Sequence, residues 1–314
     1  MFSQLLRKGR QVTASRGATR ELRGVLLELT DPRARLSRTE LKGTVFSCLG
    51  ELLWYLSGSN SLDFIKYYIQ RYELESGDEK TVHGGYGPRL FNNRGIDQLR
   101  NTVALLIDRP STRRAVIQLF NAEDINEPHK EVPCTCTLQF MIRAGHLHCF
   151  TCMRSNDAYF GLPHDIFAFT MLQELIAREL SMKLGTYQHA VGSLHLYTDQ
   201  ADEAASYLEE GWQSSISMPE MPLGDPWPAV ETVLKAEVAI RNGATINVST
   251  LGLDPYWEDI VRLLQVLQLF KMQKYREIAK TARVMSSRIY ETYIRSKQSR
   301  PIEVQKKLPF STET

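Results

Sequence analysis

The sequence predicts an α+β fold, and three observations predict it. Short β-prone runs at residues 115–120, 136–142 and 147–153 are separated by turn residues. Longer runs at 41–55 and 166–184 repeat apolar residues at helical spacing. Ala144-Gly145 between two of the β runs marks a hairpin, so the strands are expected to be antiparallel rather than in strict βαβ alternation.

Residues 1–23 carry Arg7, Lys8, Arg10, Arg16, Arg20 and Arg23 but no apolar core followed by a small-residue cleavage site, which makes a poor signal peptide. Residues 41–55 read as a helix through Leu41, Val45, Cys48, Leu49, Leu52 and Leu53, with Gly58 as a stop. Residues 61–72 read as a second, short amphipathic helix. Residues 77–93, with Gly77, Gly84, Gly85, Gly87 and Pro88, read as a loop. Helical periodicity returns at 97–108. The long helix at 166–184 places Phe169, Leu172, Ile176 and Leu180 on its apolar face, and Gly185 ends it before a strand at 187–197. Pro219, Pro222, Pro226 and Pro228 stiffen residues 218–228. Residues 256–296 are strongly helical, and 309–314 form a polar tail. No internal repeat is present.

A hydrophobic fraction of 43% and a charged fraction of 24% suit a soluble globular enzyme. A net charge of +2 gives no nucleic-acid surface, and the Lys and Arg of 256–296 alternate with Glu as on any solvated helix. No apolar run is long enough to span a bilayer. Five cysteines, an odd and scattered set, read as reduced thiols of a cytoplasmic protein. Cys134-Thr135-Cys136 and Cys149-Phe150-Thr151-Cys152 do not both meet zinc-ligand spacing, and a redox dithiol would need a helix N-terminus, so no metal is expected.

The chemistry concentrates between residues 132 and 197. Pro133-Cys134 offers a thiol, and Arg154-Ser155-Asn156-Asp157 an arginine beside a hydroxyl. Gly161-Leu162-Pro163-His164-Asp165-Ile166 places a carboxylate after a tight turn, and His195-Leu196-Tyr197 follows. Upstream stand Gly50-Glu51-Leu52-Leu53-Trp54-Tyr55-Leu56 and Tyr86-Gly87. In order, spacing and identity these segments resemble the thymidylate synthase family, over about residues 10–200.

That resemblance implies a mixed, mainly antiparallel sheet packed with helices, with sheets forming a homodimer interface. It implies a single catalytic domain over 1–314 whose helical region at about 254–298 diverges. Cys134 corresponds to the nucleophile that adds to C6 of a pyrimidine, activated by nearby arginines, since positive charge favours a thiolate. Arg16, Arg113, Arg114 and Arg154, with Ser155, correspond to the phosphate binders; planar guanidinium groups suit a dianion. Arg113 and Arg114 would reach across from the partner subunit, and Arg20 or Arg23 are alternatives to Arg16. Glu51 corresponds to the glutamate that organises proton transfer and also lies by the folate. Burial among Leu49, Leu52 and Leu53 would favour its neutral form. Tyr86 lines the site, Asp157 contacts the pterin, and His195 with Tyr197 bonds the sugar hydroxyl. The co-substrate would be 5,10-methylenetetrahydrofolate.

Several positions depart from the family pattern. Thr135 replaces a His, Lys80-Thr81-Val82-His83 replaces tryptophans near the folate, and Ser193 replaces an acid. His164 and His189 have no counterpart and read as satisfied loop or core histidines. Cys136 has none either and reads as structural. The departure that bears most on the reaction is Asp165, where thymidylate synthases carry Asn and cytidylate or deoxycytidylate hydroxymethylases carry Asp. An amide complements the N3–H and O4 of uracil, whereas a protonated carboxyl can donate to N3 and accept from N4 of cytosine. A helix N-cap is a second role open to Asp165. Ala168, where synthases have Ser, would leave room for a ribose 2′-hydroxyl. The resemblance therefore implies hydroxymethylation of CMP or dCMP. Methylation of dUMP and a catalytically silent nucleotide-binding protein are the alternatives.

Overall fold

A computed structural model describes residues 1–14, 16–37, 44–211 and 215–299. The start of the 41–55 helix and the tail at 309–314 lie outside the described residues. The chain divides into two compact units, Met1–Val230 and Glu231–Thr314.

The first unit opens with α1 (Phe2–Lys8), β1 (Arg10–Ala14) and β2 (Gly17–Leu29), none of them foreseen from sequence. Then come α2 (Val45–Leu56), α3 (Leu62–Tyr68), α4 (Tyr86–Phe91) and α5 (Gln98–Asp108). The sheet resumes with β3 (Val116–Gln118), β4 (Thr135–Arg143) and β5 (His146–Asp157), and α6 (Gly161–Glu179), β6 (Lys183–Tyr197) and α7 (Ala201–Glu209) follow. Six strands form one sheet in the order β1-β2-β6-β5-β4-β3. All neighbours are antiparallel except β5 and β6, which α6 joins as a parallel crossover. The α+β expectation holds, with mainly antiparallel strands.

The local reasons are chemical. Ala144 (φ 49°) and Gly145 (φ 75°) both take left-handed dihedrals, as a two-residue hairpin with a mirror-image turn demands. Asp97 caps α5 by accepting from the Arg100 amide. Along β5 buried and half-buried residues alternate, so Leu147, Cys149, Thr151 and Met153 share one face. α6 is buried on nearly every side, from Leu162 to Arg178.

Several expected boundaries move. The glycine-rich 77–93 segment contains α4, because Pro88 falls in its first turn, where no N–H partner is needed. The 61–72 helix breaks at Ile69 (φ −135°), and a 3-10 turn over Gln70–Leu74 replaces its end. α6 starts at Gly161 rather than 166, since Pro163 also sits in a first turn, and it ends at Glu179 before Ser181 turns left-handed (φ 53°). Asp165 therefore lies in the second turn and is not an N-cap. Gly185 does not interrupt the chain; it lets β6 pass beneath the His148 ring, where a Cβ would stand 2.6 Å from Nδ1. β5 continues past 153 to Asp157.

α8 (Trp227–Arg241) leads into the second unit. There the helical stretch resolves into α9 (Pro255–Lys271), α10 (Tyr275–Arg283) and α11 (Glu291–Ser299), with Asp254 capping α9 and Gln273 (φ 60°) ending its last turn.

Candidate active site

Strand register builds the site. Because β5 and β6 run parallel, their C-terminal ends lie side by side, pairing Ser155 with Ser193 and Asp157 with His195. β4 is antiparallel to β5, so its start meets the end of β5, and the Arg154 amide donates to the Cys134 carbonyl at 2.9 Å. Cys134 thus stands at the sheet edge where three strand ends converge.

Arg154 holds the loop before β4 in place. Its Nε donates to the Pro133 carbonyl (2.9 Å) and its Nη2 to the Val132 carbonyl (3.0 Å), which leaves Nη2 3.8 Å from the Cys134 Sγ. Arg16 also reaches this end: it pairs with Glu75 at 3.2 Å and with Glu131. Of the alternatives to Arg16, Arg20 is committed to the Leu6 carbonyl at 2.9 Å and Arg23 is exposed on β2.

The thiol is not activated in the single chain. Burial, and then the Glu131 carboxylate, push Cys134 up to about 12, and Arg154 only partly offsets them. The expected arginine activation is therefore incomplete. Burial and Glu131 likewise raise Glu75 to about 7, against the pull of Arg16 and Arg71.

Glu51 is buried, not exposed as helix glutamates usually are. Its Oε1 accepts from the Tyr55 hydroxyl at 2.8 Å and from that of Tyr72. Tyr86 lies 4.9 Å from Tyr55, ring to ring, and its hydroxyl accepts from the Thr135 amide (3.2 Å) and Oγ1 (2.9 Å). Thr135, the departure beside the cysteine, thereby orients Tyr86.

Asp165 is buried, and its Oδ2 accepts from Asn156 Nδ2 at 2.7 Å. Burial and the Glu51 charge push it up to about 8, so the carboxyl is mostly protonated at neutral pH. Ala168, also buried, stands three residues on along the same helix. His164 bonds the Phe160 carbonyl (2.8 Å) and Ser47 (2.9 Å), a satisfied histidine as expected.

Asp157 Oδ1 accepts from the amides of Tyr159 (2.8 Å) and Phe160 (3.2 Å). Its Oδ2 is buried without a hydrogen bond, 3.8 Å from Arg71 Nη1. Arg71 lies over the rings of Phe160 (5.4 Å) and Tyr197 (5.8 Å). His195 Nδ1 is 3.5 Å from Ser155 Oγ, and its ring meets that of Tyr197 edge-on at 5.3 Å. Ser193 donates to Glu21 Oε1 at 2.6 Å, so an acid absent at 193 enters from β2.

Arg113 and Arg114 are the expected site residues that the chain does not bring in. Both are exposed in the turn before β3, and the described bonds there run from the Arg114 amide to Thr112, from Gln139 to the Arg113 carbonyl and from the Val116 amide to the Arg114 carbonyl. In the segment that stands in place of the resembled family's tryptophans, His83 stacks on His129 at 3.6 Å and bonds Asp124 at 2.8 Å. A shallow cleft of about 160 Å³ lined by Asn60, His83 and Arg89 opens there, and its lining includes neither Cys134 nor Asp165. Among the described residues no cluster of His, Cys, Asp or Glu is placed to hold a metal, and no helix is long and apolar enough to cross a membrane.

Sequence reasoning missed Arg71, Tyr72, Glu75 and Glu131. Only Glu131, three residues before Cys134, had a local signal.

Residues 25–241 match the family described as Thymidylate synthase. The chain is 31% identical over 206 residues to a deoxyuridylate hydroxymethyltransferase of Delftia phage PhiW-14. That match covers 61% of this chain and 57% of the relative, so it spans little more than half of the relative's length.

Proposed function

The chain belongs to the thymidylate synthase family, and we propose that within it the protein is a folate-dependent 5-hydroxymethylase of a cytosine nucleotide, CMP or dCMP. The observation that carries the choice of base is Asp165, a buried carboxyl held by Asn156 and pushed by burial toward its neutral form. With its hydrogen on the oxygen that faces N3, such a group donates to cytosine N3 and accepts from N4, and a uracil seated the same way leaves a buried polar group unmatched at a cost of about 1–3 kcal/mol.

In this reading the phosphate is taken by Arg16, Arg154 and Ser155, with the partner's Arg113 and the partner's Arg114 completing the site in a homodimer. Arg16 exchanges its two carboxylates for the phosphate. His195 and Tyr197 bond the sugar, and Ala168 leaves space for a 2′-hydroxyl, which favours CMP. Cys134 Sγ bonds to C6, which makes C5 nucleophilic. Methylenetetrahydrofolate would supply the one-carbon unit that C5 takes up. The orphaned Oδ2 of Asp157 fits a donor on its pterin. C5 then loses its proton as the bond from the new carbon to the folate nitrogen breaks, water adds to that carbon, and Sγ leaves C6. Glu51, bonded by two phenols, orients that water, and Tyr86 lines the ring.

The relative's name favours a second reading, hydroxymethylation of a uracil nucleotide. A protonated carboxyl can also accept from N3–H and donate to O4. A mass-resolved product assay with CMP, dCMP and dUMP, each with methylenetetrahydrofolate, separates them. A gain of CH₂O on CMP or dCMP is expected. The same gain on dUMP alone establishes the second reading. A gain of CH₂ on dUMP means methylation, and no product with any nucleotide overturns both hydroxymethylase readings.

A further inference from the structure

Behind Asp165 lies a row of buried polar groups with no assigned role. The Tyr187 hydroxyl is 2.7 Å from His189 Nδ1, His189 Nε2 is 2.9 Å from Asn156 Oδ1, and Asn156 Nδ2 is 2.7 Å from Asp165 Oδ2. Tyr187 and His189 are fully buried and Asn156 nearly so. Tyr187 and His189 share one face of β6, Asn156 sits on β5 beside it, and Asp165 faces them from α6.

The polarity of this row follows from its ends. With the Tyr187 hydroxyl donating to Nδ1, Nε2 carries the ring hydrogen and donates to the Asn156 carbonyl, which turns the amide nitrogen toward Asp165. That direction serves Asp165 in either protonation state, whereas the reverse direction works only when the carboxyl gives its own hydrogen to Asn156. Burial also pulls His189 down to about 4, so the ring is neutral and has one donor.

We propose that Tyr187, His189 and Asn156 are a positioning chain that commits Asp165 Oδ2 to accepting, leaves Oδ1 as the oxygen that donates toward the base, and so sets the choice between cytosine and uracil. An unrestrained carboxylic acid can carry its hydrogen on either oxygen and would match both base edges. With the hydrogen confined to Oδ1, one seating of the ring satisfies only one of the two bases. The inference rests on the reading that Asp165 faces the base.

The test compares kcat/KM for CMP and dUMP, with methylenetetrahydrofolate, in wild type, Asn156→Ala, Tyr187→Phe and Asp165→Asn. Where turnover is lost, calorimetric affinities for the two nucleotides are compared with the wild-type affinity ratio instead. Asn156→Ala is expected to narrow the preference about 10- to 100-fold, the scale of one misdirected polar contact. Tyr187→Phe removes a hydroxyl and no packing, and is expected to narrow it by about 3- to 10-fold, the loss of one neutral hydrogen bond acting at a remove. A ratio within about twofold of wild type in both variants overturns the proposal, whatever happens to the overall rate. If Asp165→Asn still changes the ratio in that case, only the chain's role fails. If Asp165→Asn also leaves it unchanged, the reading of Asp165 itself is wrong.

Discussion

In the proposed reaction Cys134 is the nucleophile, yet its surroundings favour the neutral thiol, and the reason is local. Glu131 lies three residues before it and is, after burial, the largest influence that raises the thiol to about 12. A thiol with that pKa stays neutral through the physiological range, and its thiolate fraction grows about tenfold per pH unit up to the pKa. Alkylation of Cys134 by iodoacetamide, followed by peptide mass mapping, is therefore expected to climb steadily from pH 7 to 11 without a plateau. Glu131→Gln removes a negative neighbour, so it should lower the thiol pKa and speed alkylation about 3- to 30-fold at pH 8, one pKa unit being tenfold. An unchanged rate would show that burial alone sets the thiol. At this scale much of the site was legible, because Cys134, Arg154, Asp157, Asp165, His195 and Tyr197 sit in compact motifs. What was illegible arises from pairings across the sheet. Asn156 meets His189 33 residues away, and Ser193 meets Glu21 172 residues away. No local pattern encodes either contact.

At the scale of elements, α2 shows how packing places a buried carboxylate, Glu51. Gly50 precedes Glu51 and faces α3 so closely that a Cβ would stand 2.0 Å from Cγ of Tyr68. Gly50→Ala gains about 0.5–1 kcal/mol of helix propensity but drives a methyl into that ring, and overpacking of this kind costs about 1–3 kcal/mol or more. The net expectation is destabilisation by up to about 2.5 kcal/mol and a Tm lower by up to about 10 °C, at about 2–4 °C per kcal/mol for a domain of this size. The displaced α3 leads into the turn that carries Tyr72, so the Tyr72 bond to Glu51 should weaken as well. A variant at least as stable as wild type would mean that Tyr68 swings aside freely. The helices legible in sequence were those with clear apolar periodicity, α2, α5 and α6, together with the short α3 and the helical stretch that resolves into α9, α10 and α11. α4 was hidden because Pro88 and three glycines read as breakers, although a proline in a first turn costs nothing. β1 and β2 were hidden because β1 is exposed throughout and β2 fully buries only Thr19, so charge and threonine mask the alternation.

At the scale of the whole molecule, one chain is an incomplete site by this reading. Arg113 and Arg114 are exposed and directed to no group around Cys134 in any described bond. Phe150, Cys152, Gln188 and Ala190, on the face of β5 and β6 opposite the residues buried beneath α6, remain half-buried in the single chain. A two-fold dimer that stacks these faces would cover them and carry each arginine pair to the other subunit's thiol. Self-complementary pairing of this kind is the commonest oligomer symmetry. Subunit mixing tests it directly. Cys134→Ser lacks the nucleophile but keeps its arginines, and a chain with both Arg113→Ala and Arg114→Ala keeps the nucleophile. Each homodimer should be nearly inactive. After denaturation and refolding of an equal mixture, half the dimers are mixed and each mixed dimer holds one complete site, so about a quarter of wild-type activity should return. Sites built within one chain would return nothing, since neither variant then contains a complete set.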